Sequence, residues 1–144
     1  MAEKEITFYN LDGAVGPNCA NQRTDVMLVQ FFLHQIFSHP KRTASKPAGE
    51  KIKISGTFDP TTAAWIRHYQ GVVAKRHSVL VDGQVDRARG EQFSKSSISH
   101  THYTIDHMNA DHCALFRQEH NHLERHPLIP AELKAEMQQG EPIS

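Results

Sequence analysis

Ile54-Ser55-Gly56-Thr57-Phe58-Asp59-Pro60-Thr61-Thr62-Ala63-Ala64-Trp65-Ile66-Arg67-His68-Tyr69-Gln70-Gly71 is the stretch that decides the fold. It reads as a tight turn feeding a helix. Gly56 supplies the positive φ that such a turn needs. Asp59 is placed to cap the helix, its carboxylate accepting from the free amides of the first turn. Pro60 then takes the first helical position, where a missing N–H costs nothing. Thr62, Trp65, Ile66 and Tyr69 recur at i, i+3, i+4 and i+7, one face of an α-helix. Gly71 stands where the helix is expected to stop. Burying Trp65 and its neighbours stabilises by about 1.5–3 kcal/mol per large apolar side chain.

Two other segments extend this reading. Upstream, Thr24 or Asp25 caps a helix over residues 25–37. Its stripe is Val26, Val29, Leu33 and Ile36, and Met27, Leu28 and Phe31 lie off that stripe. A helix apolar over most of its circumference is buried between neighbours. Downstream, Val81-Asp82-Gly83-Gln84-Val85-Asp86 repeats the central turn 27 residues after Ile54-Ser55-Gly56-Thr57-Phe58-Asp59. Both run hydrophobic, small or acidic, Gly, any residue, hydrophobic, Asp. The two glycines are expected to share one backbone conformation.

In this order the motifs resemble the small helical peptidoglycan-binding domain found beside many cell-wall hydrolases. Ile54, Gly56, Phe58, Pro60, Thr62, Ala63, Ile66, Tyr69 and Gln70 hold the places of that family's pattern. Ser55 stands where Asp is usual there, and Asp59 where Gly is usual. Asp25-Val26-x-x-Val29-Gln30-x-x-Leu33 matches the family's first helix, and the repeated turn is a family feature too. A narrower likeness, carried by Val15-Gly16, Asn21, Asp25 and Val26, is to members linked to type VI secretion. In the family the second turn leads into a third helix. Here it leads into Arg87-Ala88-Arg89-Gly90, which lacks the Pro and Thr.

The resemblance implies a mainly α fold, a small helical bundle with irregular loops. Residues 14–90 form the peptidoglycan-binding-like unit, preceded by an arm at 1–13. Residues 91–144 form a C-terminal helical extension packing on the same core. Within the extension, Thr104 to His126 reads as one long helix with Thr104 as a cap, ended by Pro127, and Pro130 to Met137 as a short one. Residues 91–103 are Ser-rich and irregular. Glu5-Ile6-Thr7-Phe8-Tyr9 reads as a short strand or extended arm. Residues 38–53 are a polar insert holding five Lys and Arg against one Glu, longer than the family's usual connection.

A length of 144 residues fits one domain, and the zero formal charge gives no footprint for nucleic acid or an anionic membrane. The polar start predicts no secretory signal and a cytoplasmic product. Wall contact would then need a dedicated export machine or lysis. Cys19 and Cys113 are expected as reduced thiols, with a disulfide between them left open.

Seven of the eleven histidines crowd the C-terminal third. On a helix, His107 with Asp111 and His122 with His126 stand at i, i+4, whereas His120 and His122 diverge. No His-Glu-x-x-His signature occurs, so no metal and no cofactor are expected. A zinc-dependent cell-wall hydrolase would also need more chain than follows residue 90. No Gly-x-Ser-x-Gly elbow or phosphate loop is present. With no catalytic pattern present, the resemblance implies non-catalytic binding of peptidoglycan or a wall fragment. Arg67, His68, Tyr69 and Gln70, at the end of the central helix, and Asp82 and Gln84 in the repeat turn are the candidate surface contacts. Trp65 belongs to the core stripe. The rival expectation is a structural adaptor or cargo-interaction protein in a contractile secretion or phage-like system.

Overall fold

The computed structural model describes residues 7–89 and 103–139, and its regular structure is almost wholly helical. Helix α1 spans Arg23–Ser38, and from Asp25 to Phe37 every residue except His34 is buried. This is the all-round burial its composition demands. Its cap differs from expectation. Gln22 is the N-cap residue and makes no side-chain cap bond, so neither Thr24 nor Asp25 closes the helix end. Asp25 instead turns its carboxylate outward from the first turn. It accepts from the backbone N–H of Asp12 at 2.9 Å and of Gly13 at 3.0 Å, fastening the loop that precedes the helix.

Helix α2 spans Pro60–Ala74 and starts as the sequence dictates. Asp59 Oδ1 accepts from the Thr62 N–H at 2.8 Å and from the Thr62 hydroxyl at 2.6 Å. Trp65, Ile66 and Tyr69 are buried against α1 in one core with Val26, Val29 and Leu33. The helix does not stop at Gly71. A glycine ends a helix where it takes the left-handed conformation, and Gly71 does not, so the helix continues and buries Val73.

The two repeated turns are the organising device. Gly56 has φ 82° and Gly83 has φ 77°. Each turn is clamped by a buried glutamine from the helix before it. Gln30 on α1 accepts from the N–H of Ser55 and of Gly56, both at 2.9 Å, and donates to the Thr57 carbonyl and the Thr62 hydroxyl. Gln70 on α2 accepts from the Gly83 N–H at 2.8 Å and donates to the Gln84 carbonyl and the Thr104 hydroxyl. Helix, glutamine, glycine turn and threonine of the next helix thus recur twice. An antiparallel bridge between Val15 and Val85 ties the loop before α1 to the second turn.

Helix α3 spans Thr104–Leu115. Thr104 is not its cap: Tyr103 holds that place without a side-chain bond, and the Thr104 hydroxyl serves Gln70. The single long helix expected to His126 is three pieces. Phe116 leaves helical geometry (φ −132°, ψ 56°), α4 covers Arg117–His120, and a 3-10 turn covers Leu123–Arg125. Length explains the break. A straight helix from Thr104 to His126 would run about 34 Å against about 24 Å for α1, carrying Leu123 past the core. The broken path buries Leu123 completely. Helix α5, Ala131–Gln139, follows and buries Leu133. Residues of the extension, including Ile105, Met108 and Leu123, share one apolar cluster with α1 and α2.

Thr7–Tyr9 are irregular rather than a strand, and Glu5 and Ile6 lie outside the described residues. Asn121 Oδ1 accepts from the Thr7 N–H, and the Asn109 amide both accepts from and donates to the Tyr9 backbone. Paired this way to side chains, the arm needs no partner strand. The Ser-rich stretch with His100 and His102 also lies outside the described residues.

Candidate functional site

The side chains picked from sequence divide between surface and core. Arg67 is exposed and lies over Gly83. His68 is half-buried, its Nε2 2.6 Å from the Ser45 carbonyl oxygen of the insert. Asp82 is exposed and Gln84 half-buried, and Asp82 Oδ1 accepts from the Gln84 N–H within the turn. Tyr69 and Gln70 are not surface contacts. They are 1% and 0% exposed, because Tyr69 belongs to the apolar stripe and Gln70 clamps the second turn.

The hydroxyl of Tyr69 nevertheless bears on a cleft through Asp111, which lines it. It donates to Asp111 Oδ2 at 2.6 Å, while Arg42 Nη2 donates to Asp111 Oδ1 at 3.2 Å. Burial, then the Asp111 charge, raises the phenol well above its ordinary range, so it stays a donor. Around this triad opens a cavity of about 330 Å³. Val72 and Val73 of α2 give it apolar surface. Lys75, Arg76 and His77 stand just past the helix end, and His107 and Asp111 come from α3. Arg42 is supplied by the polar insert.

Each contribution has a local cause. His107 and Asp111 share a face because they are four residues apart on α3. Lys75, Arg76 and His77 follow a helix C-terminus, where positive charge is favoured. The insert is docked rather than loose: Pro47 and Ile52 are buried, and the Glu50 carbonyl accepts from Trp65 Nε1 at 3.2 Å. The cleft thus collects cations from two elements beside one carboxylate. Its lining offers both charged and hydrogen-bonding groups. None of the six side chains picked from sequence lines this cleft; His107 and Asp111 stood out there only as an i, i+4 pair weighed for a metal, and Arg42 was missed. The insert's excess of basic residues was its only signal.

The histidines of the extension form a sealed pair. His112 Nδ1 and His120 Nδ1 are 3.0 Å apart, and His120 Nε2 is 2.8 Å from the Thr7 carbonyl oxygen. A carbonyl only accepts, so His120 carries its proton on Nε2 and presents a bare Nδ1. His112 must then donate from its Nδ1. Its Nε2 is left as a buried atom with no partner, and its ring packs on Phe31, Phe32 and Phe116. Burial, followed by the neighbouring His120 and His126, lowers the His112 pKa to about 3. His122 and His126 flank the 3-10 turn Leu123–Arg125 and both depart from helical geometry, so their i, i+4 spacing does not put them on one α-helical face. Among the described residues no three His, Cys, Asp or Glu side chains converge as a metal ion requires. Cys19 is half-buried and Cys113 buried, and both are free thiols.

No helix among the described residues is long and apolar enough to cross a membrane. Compared with family models, curated proteins and solved structures, the chain matches none.

Proposed function

We propose that this protein is a non-catalytic module that binds peptidoglycan or a fragment of it, with the ligand seated in the cleft beside the end of α2. The observation that carries the reading is the meeting of Arg42, Asp111 and the basic residues after α2 in one cavity. That cavity lies next to the helix end that the resemblance to wall-binding domains singles out. Its volume falls at the lower end of the range for small-ligand sites, about 300–1,000 Å³. Charged groups suit the peptide stems of the wall, whereas a glycan strand seeks exposed aromatic faces, and the cleft has no Trp, Tyr or Phe among its lining residues.

The test is sedimentation of the purified protein with insoluble peptidoglycan sacculi at pH 7.5, with soluble muropeptides assayed in the supernatant. Co-sedimentation without muropeptide release is expected. Release of muropeptides refutes the non-catalytic reading, and absence from the pellet refutes wall binding. The rival reading, an adaptor or cargo partner of a secretion apparatus, draws on Leu80 and Val81, which are 51% and 47% exposed beside the second turn. It gains if the protein ignores sacculi and is captured by a component of such a machine.

A further inference from the structure

The cleft carries both signs of charge, and this narrows its ligand. Arg42, Lys75 and Arg76 line it together with the Asp111 carboxylate. Val72 and Val73, which also line it, belong to the last turn of α2, where the Val73 carbonyl already accepts from the N–H of Arg76 at 3.0 Å and of His77 at 2.9 Å, so the anionic group of the cleft is Asp111. A phosphate monoester would bring close to two negative charges against Asp111. A neutral sugar offers no anion to Lys75 and Arg76, since Arg42 already pairs with Asp111. A group bearing one carboxylate and one ammonium a few ångströms apart satisfies both sides.

We infer that the cleft recognises a zwitterionic amino-acid end, its carboxylate on Arg42 and the basic residues after α2, its ammonium toward Asp111. The inference rests on the wall-fragment reading only for the source of that group, a stem peptide with an uncrosslinked amino-acid end. The recognition itself follows from the charges in the cavity.

Arg42 is built to be held in place. A guanidinium has five N–H donors. Its bond to Asp111 fixes the plane of the group, and the buried Tyr69 hydroxyl fixes Asp111 in turn. Tyr69 is thus a positioning residue that acts through Asp111, while its ring stays in the core. The surface ion pair Arg23–Glu132 has both side chains more than half exposed and no such support.

The experiment is an NMR titration of the full chain at pH 7.5 with alanyl-alanine, N-acetyl-alanyl-alanine, alanyl-alanine amide and inorganic phosphate. Free alanyl-alanine is expected to shift the amide signals of Val72, Val73, His107 and Asp111. Each capped form should bind at least tenfold more weakly, and phosphate more weakly still. Arg42→Ala should cost about tenfold with free alanyl-alanine. Tyr69→Phe should weaken the same dipeptide several-fold while the pattern of shifted residues is kept. Asp111→Asn should narrow the difference between the free dipeptide and its N-acetyl form.

Equal binding of free and capped forms overturns the inference, as do tighter binding of phosphate and no shift with any probe. Sacculus binding without dipeptide binding would leave the wall reading standing and sink this one. Dipeptide binding without sacculus binding would do the reverse.

Discussion

Acidification is expected to destabilise this protein, with His112 as the main cause. Its ring is fully buried, its Nδ1 proton is committed to His120, and its Nε2 faces phenylalanines with no acceptor for a second proton. Its pKa falls from 6.5 to about 3 on folding. The folded value lies below the unfolded one, so the unfolded state takes up the proton first. The stabilising contribution is complete above pH 6.5 and is lost as pH falls toward 3. The linkage relation gives a loss of about 2 kcal/mol at pH 5 and about 3 kcal/mol at pH 4 from this ring alone. Burial lowers His34, His120 and His126 as well, adding losses of the same sign. Asp25 opposes them, because burial raises its pKa and protonation relieves a cost. Asp59 is held below its ordinary range by the Thr62 bonds and stays charged above pH 5. Between pH 7 and 5 the histidines therefore dominate. Urea unfolding followed by circular dichroism at pH 7, 6 and 5 measures the effect. Near pH 5 the His112 contribution approaches one proton, about 1.3 kcal/mol per pH unit. His112→Leu should be less stable at pH 7, because His120 Nδ1 loses its donor, but should lose most of that slope. Stability that is flat or rises on going from pH 7 to 5 would refute the tautomer chain.

Two further predictions concern the fold. Gln30→Ala removes the acceptor of the Ser55 N–H and of the buried Gly56 N–H, and at about 1–3 kcal/mol for each stranded group it should cost a few kcal/mol in a denaturant melt; a loss under 1 kcal/mol would show that water replaces the clamp. Gly16→Ala places its Cβ 2.9 Å from the Gln84 Cα and from the Gly83 carbonyl oxygen, both backbone atoms, whereas at Gly83 the near atoms belong to the movable Arg67 side chain. Melting temperature should therefore drop further for Gly16→Ala than for Gly83→Ala, and the opposite order would contradict the packing of the first loop on the second turn.

The elements with local chemical signatures were legible in sequence. Asp59-Pro60 fixed the start of α2, the two glycines announced matching turns, and the density of apolar residues in 25–37 foretold a buried helix. Long-range polar bonds were not legible. A glutamine inside a helix reads as surface, yet Gln30 and Gln70 are the clamps, with partners 25 or more residues away for Gln30 and up to 34 for Gln70. Asp25 read as a cap because its type suits one, but the backbone of the preceding loop takes its carboxylate first. The break at Phe116 had no Gly or Pro to announce it, since the core's length rather than local propensity ends α3. At the candidate site, the four-residue spacing of His107 and Asp111 suggested only a metal pair, and the six side chains picked as contacts lie outside the cleft. Arg42 reaches Asp111 across 69 positions of chain, and no periodicity encodes that contact.

The central claim is that the cleft beside the end of α2 holds a wall peptide. The most direct measurement compares sacculus sedimentation by the native chain with that of Arg42→Glu and Arg76→Glu at pH 7.5 and physiological salt, each variant first shown to melt like the native chain. Arg76 is exposed, so its reversal should leave the fold intact; Arg42→Glu sets a carboxylate against Asp111, so the melt decides whether that variant is read. The account predicts that the native protein pellets with sacculi and that both variants stay largely in the supernatant. Equal pelleting of native and reversed chains would contradict it, placing any wall contact elsewhere on the surface.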